Sequence, residues 1–149
     1  MLKGIDPLLT PELLMHLCAM GHGEWVAVVD ANFTADMLAK RFGGLPVVRL
    51  PGHSLARVSE AVLSVFPLAA DVPQPVAYMQ HSDMPQGQTT AAQAEVMALA
   101  QTQAGIGAAR VQGVERFAFY ERFANVSLIV QSGEATAFGN ALFCKGVIL

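Results

Sequence analysis

The chain has 149 residues, enough for one domain with a real core and too few for two ordinary ones. Hydrophobic residues make up 53% and charged residues only 14%, against roughly 25% charged in an ordinary soluble domain, so part of the apolar surface is expected to lie between subunits. Nine Lys and Arg against twelve Asp and Glu leave a net charge of −3 with no basic run, which argues against nucleic acid as a partner.

The opening "MLKGIDPLLTPELL" breaks its apolar residues with Asp6, Pro7, Pro11 and Glu12, where a secretory signal needs an uninterrupted apolar region. No stretch reaches the roughly 18 apolar residues of a membrane span. Cys18 and Cys144 form neither a CxxC pair nor a metal-ligand spacing, and read as core thiols of a protein in the reducing cytoplasm.

Thr10 and Pro11 start the first helix, because the threonine side chain caps free amides and proline needs no amide hydrogen in the first turn. That helix runs through "ELLMHLCAM" and stops at Gly21. "WVAVVDA" follows as a short, β-branched, wholly apolar strand of the kind buried on both faces. Further strands are expected at "PVVRL", "PVAYM", "SLIVQS" and "ALFCKGVI", with helices at "TADMLAKRF", "SLARVSEAVLSVF" and "TTAAQAEVMALAQTQ". This alternation predicts a single α/β domain over residues 1–149, with helices packed on a mostly parallel sheet. Residues 80–90, "QHSDMPQGQTT", read as a polar loop, and the apolar ending "FCKGVIL" as a packed terminus.

Four histidines are the natural place to look for proton chemistry. His16, His53 and His81 read as solvated or capping imidazoles, and no pair of ligands has the spacing of a metal site. His22 differs, because Gly21 and Gly23 on either side allow close approach to its ring. Asp30 follows a strand, and ligands gather at the carboxyl ends of strands in open α/β sheets. Eight residues of extended chain would hold His22 and Asp30 roughly 25 Å apart. The two meet at one ligand only if the glycine-flanked loop folds back, or if they belong to different subunits. Later, "ERFAFYERF" sets Arg116, Tyr120 and Glu121 beside three phenylalanines, and "AFGNALF" interrupts an apolar run with Gly139 and Asn140.

"GIDPLLTPELLMHLCAMGHGE", "DANF", "RFAFYER" and "FGNALFCKGV", in this order and spacing, resemble the L-fucose mutarotase and D-ribose pyranase family nearly end to end. "RFAFYER" resembles the fucose branch more. The resemblance implies a cofactor-independent isomerase of a free monosaccharide, assembled as a homo-oligomeric ring, often a decamer, with sites at subunit boundaries. It makes His22 the proton donor, Asp30 a substrate-binding carboxylate, Arg116 a sugar contact and Tyr120 a residue of the catalytic site. It places Phe138, Gly139 and Asn140 on the substrate-binding loop. The family usually carries histidine where this chain has Asn32 and tyrosine where it has Phe138. Both differences remove a polar group and bear on which sugar is accepted.

Anomer exchange needs a proton delivered to the ring oxygen and another taken from the anomeric hydroxyl, so acid and base groups suffice and no cofactor or metal is called for. His22 is suited to the first task, with Asp30 either binding hydroxyls or orienting the imidazole, and Tyr120 or Trp25 offering an aromatic face. The competing expectation is a non-catalytic sugar-binding accessory protein of an uptake system, which would tolerate loss of His22. A nucleotide-binding domain is disfavoured, since no glycine-rich phosphate loop is present.

Overall fold

The computed structural model describes residues 2–148. The elements are α1 (Pro11–Ala19), β1 (Trp25–Val29), α2 (Ala35–Arg41), β2 (Val47–Leu50), α3 (Leu55–Leu63), β3 (Val76–Met79), α4 (Ala91–Ala104), β4 (Val111–Val114), α5 (Arg116–Glu121), β5 (Val126–Ser132) and β6 (Ala141–Cys144). Local chemistry sets the helix starts. Thr10 accepts the Leu13 amide hydrogen, Ser54 that of Arg57, and Thr90 that of Gln93.

The strands form one mixed sheet in the order β2-β5-β1-β6-β3-β4. β1, β2 and β5 run parallel, as do β3 and β4, while β6 runs antiparallel to both of its neighbours, β1 and β3. The expected α/β domain is therefore present, with one reversed strand in the middle of the sheet. Successive β1 side chains point to opposite faces. Val26 and Val28 join Leu13, Leu17, Leu55, Val62 and Val96 in one core layer, under α1, α3 and α4. Ala27 and Val29 join Leu38, Phe119, Phe123 and Leu142 in the other, under α2 and α5. A sheet covered on both faces explains why β1 and β6 read as unbroken apolar runs.

Three expectations need correction. β4, "VQGV", was not foreseen, because a half-exposed strand interrupted by Gln112 and Gly113 carries no apolar alternation. Cys18 is exposed, and only Cys144 is a core thiol. The ending is packed only as far as Gly146: Val147 is 57% and Ile148 85% exposed, and Leu149 lies outside the described residues.

Candidate functional site

Asp30 leaves the carboxyl end of β1 and is 5% exposed. It is held by a reciprocal pair with Asn140 at the start of β6. The Asp30 amide donates to Asn140 Oδ1 at 3.0 Å, and Asn140 Nδ2 donates back to Asp30 Oδ2 at 2.9 Å. The Asn32 amide donates to the other carboxylate oxygen at 3.0 Å. Burial pushes the Asp30 carboxyl above the usual aspartate range, assisted by the nearby Glu134 charge, while the bonds from Asn140 and Asn32 pull it back. The carboxylate is thus fixed in place and costly to keep charged.

A cleft of about 420 Å³ opens above this pair, in the range of small-molecule sites. Asp30, Asn32 and Asn140 form its polar side, and Phe33, Met37, Met79 and Phe138 its apolar side. α5 supplies Arg116 and Tyr120, one helical turn apart, so that Arg116 Nε donates to the Tyr120 hydroxyl at 2.9 Å. Phe33 packs edge-on against Tyr120, with ring centroids 5.8 Å apart, and stacks on Phe123 at 5.5 Å. Phe138 takes φ +63°, the left-handed region that a bulky residue avoids. Such a conformation costs on the order of 1–3 kcal/mol and persists only where its surroundings impose it. Gly139 does not line the cleft; an added Cβ would sit 3.0 Å from Glu134 Cγ and from the Thr136 carbonyl, so its role is to let the loop close.

Of the residues singled out in the sequence, Asp30, Arg116, Tyr120, Phe138 and Asn140 come together here. His22 and Trp25 do not. Both sit at the amino end of β1, and the five-residue strand puts about 17 Å between its ends. The loop does not fold back. Gly23, at φ +84°, turns the chain into β1, and its amide donates to the Lys145 carbonyl at 2.9 Å.

At that end His22 Nε2 lies 2.9 Å from Asp71 Oδ2. The bond holds the Asp71 carboxyl below its ordinary range. Arg110 donates to the carbonyls of Ala69, Ala70 and Val72, pinning the loop that carries Asp71. A carboxylate on Nε2 leaves Nδ1 as the working nitrogen, and Nδ1 has no hydrogen-bond partner among the described residues. Within one chain it is Asp71, and not Asp30, that bonds the imidazole. Sequence reading missed Asp71 because it stands in an Ala- and Pro-rich loop 49 positions away. His81, read as a solvated or capping imidazole, accepts the Asp83 amide hydrogen on Nδ1 at 3.1 Å and also packs on Phe138 with ring centroids 4.2 Å apart. Among the described residues no cluster of His, Cys, Asp or Glu could hold a metal ion, and no helix is long and apolar enough to cross a membrane.

Residues 3–148 match the model of the RbsD / FucU transport protein family. The chain belongs to this family. Among its RbsD / FucU relatives, the L-fucose mutarotase of Glaesserella parasuis is 38% identical, covering 99% of this chain and 96% of the relative. The fucose mutarotase of Homo sapiens is 36% identical, covering 99% and 94%. Among solved structures, a fucose mutarotase of Streptococcus pneumoniae in complex with L-fucose superposes with a TM-score of 0.85 at 25% identity, covering 99% of this chain and 100% of that one. The fucose mutarotases among these relatives are isomerases.

Proposed function

We propose that this chain interconverts the anomers of a free monosaccharide, L-fucose or a close relative, at a site built jointly by two copies of the chain. The observation that carries the proposal is the separation of its parts. A braced, carboxylate-floored cleft stands at one end of β1, and an oriented histidine stands at the other with its Nδ1 unpartnered.

The cleft is suited to grip a sugar. Asp30 and Asn140 bond hydroxyls, the Arg116 guanidinium donates to others, and Tyr120, Phe33 and Phe138 cover the apolar side of the ring. His22 of a neighbouring copy then works at the open side. With Asp71 stabilising the charged imidazolium, Nδ1–H gives its proton to the ring oxygen while a water at the open side of the cleft takes the proton of the anomeric hydroxyl. The C1–O5 bond breaks, the open aldehyde rotates about C1–C2, and closure on the other carbonyl face reverses the proton transfers. No redox step occurs.

Met37 and Phe117, beside the cleft, are 53% and 67% exposed, which supports a second copy covering the cleft rim. A closed homo-oligomeric ring, such as a decamer, gives every cleft a neighbour. Light scattering should find an oligomer at micromolar protein.

Saturation-transfer NMR on equilibrated L-fucose, D-galactose and D-ribose tests the chemistry directly. Faster exchange between anomeric signals for at least one sugar is expected, while none for any of them sinks the mutarotase reading in favour of a binding protein. Mixing His22→Ala with Asp30→Ala tests the shared site. At sugar well below KM each variant alone is slow, and co-assembled copies regain exchange, because one interface again holds both residues. Mixed assemblies without activity would show that the two residues do not meet.

A further inference from the structure

Gln93, the third residue of α4, is wholly buried and lies outside the cleft. Its side-chain amide makes three hydrogen bonds. Its Oε1 accepts the Thr90 amide hydrogen at 2.9 Å, completing the capping box that starts α4. Its Nε2 donates to the Met79 carbonyl at 2.7 Å and to the Phe138 carbonyl at 2.6 Å. Two carbonyl acceptors on one side and an amide donor on the other fix which way the group points.

The cap accounts for the oxygen but not for the nitrogen. Both carbonyls it bridges belong to cleft residues, Met79 at the end of β3 and Phe138 in its left-handed conformation. The Phe138 carbonyl also accepts the Asn140 amide hydrogen at 2.7 Å, and the Asn140 carbonyl accepts that of Met79 at 3.1 Å. One buried amide therefore joins the two backbone segments that carry Phe138, Met79 and Asn140. His81 closes the arrangement from outside by packing on the Phe138 ring.

We infer that Gln93 is a positioning residue of the sugar site: it holds Phe138 in the left-handed conformation that aims its ring at the substrate, and thereby sets affinity without touching the sugar. The inference rests on the mutarotase reading. A residue acting through a binding wall changes ground-state and transition-state binding alike, so its signature is in KM and not in kcat.

The experiment measures exchange rate against sugar concentration by saturation transfer. Gln93→Met keeps the bulk and removes both donors. KM is expected to rise about tenfold with kcat within a factor of about two, as for loss of one well-placed buried hydrogen-bonding group. Thr90→Val breaks the same cap without touching Nε2, and should lower the melting temperature while leaving KM unchanged. In a Phe138→Gly background, where glycine takes φ +63° freely, Gln93→Met should add less than about a twofold rise in KM, a non-additivity that marks coupling. If Gln93→Met does not fold, Gln93→Glu is used; buried between carbonyls it stays protonated with one donor, and an intermediate KM is expected.

A wild-type KM in the folded variant overturns the inference, as does a Gln93→Met effect of equal size in both backgrounds. Failure of both Gln93 variants to fold while Thr90→Val folds makes Gln93 a folding residue and also overturns it. If the unaltered protein accelerates no sugar, the mutarotase reading falls and this inference with it; if it does and Gln93→Met behaves like wild type, only the inference falls.

Discussion

The two ends of β1 are built on opposite plans. At the carboxyl end Asp30 is buried, bonded to a second strand and surrounded by aromatic rings, with three hydrogen bonds shared among Asp30, Asn32 and Asn140. At the amino end His22 is half-exposed on a turn, held by one hydrogen bond to a carboxylate that is itself 68% exposed. Under the proposed function the difference separates two requirements of acid–base chemistry on a sugar. Binding many hydroxyls demands a preorganised, desolvated surface. Delivering a proton demands one titrating group with a free nitrogen and room to approach.

The largest expected break in this contrast comes at the exposed end. His22→Ala should reduce catalysed anomer exchange by about 10²- to 10⁴-fold, with sugar binding by calorimetry and assembly unchanged. Loss of binding to the same extent would merge the two ends into one function. Asp30→Ala should do the reverse, lowering kcat/KM by roughly 10- to 100-fold mostly through KM. A pure kcat effect there would make Asp30 a proton-transfer group instead of a grip.

Asp71→Ala sharpens the contrast more gently. Removing an exposed charge-assisted bond should slow exchange about tenfold with KM constant, and an unaltered kcat would show that His22 orients itself. The smallest effect is spectroscopic. The Asp30 carboxyl carbon should titrate above the usual aspartate range by ¹³C NMR, and higher still in Asn140→Ala, since the Asn140 bond lowers it and burial remains. Because the folded carboxyl binds its proton more tightly than the unfolded one, this group makes folding less favourable as pH rises through the unfolded and then the folded value, and more favourable in acid. A downward shift in Asn140→Ala would mean that burial does not dominate.

Much of the fold was legible because strands covered on both faces betray themselves as short apolar runs, and helices here carry ordinary caps at Thr10, Ser54 and Thr90. β4 escaped because an edge strand needs no continuous apolar run, and the reversal of β6 escaped because direction leaves no trace in a four-residue apolar stretch. In the site, Asp30 stood out at the end of an apolar strand, and Arg116, Tyr120 and Asn140 as polar residues in aromatic or glycine-broken stretches, while Phe138 and the role of each came only from the family resemblance. Gln93 and Asp71 did not. The capping box Thr90-x-x-Gln93 was readable in principle, but nothing local says that the same amide reaches Phe138, 45 positions on.

The reversed strand β6 carries a consequence of its own. In a fully parallel sheet every strand would begin at one pole and end at the other, and a binding loop would share no strand direction with a distant turn. Running backwards, β6 starts at Ala141, next to Asn140 in the cleft, and ends at Cys144, after which Lys145 bonds the backbone of the turn after His22, at Gly23 and Glu24. It is a strut between the two poles. In the proposed ring the cleft pole of one subunit meets the histidine pole of the next, so each β6 would span from one site to its neighbour, and the circle of sites would be joined through the middles of the sheets as well as across the interfaces.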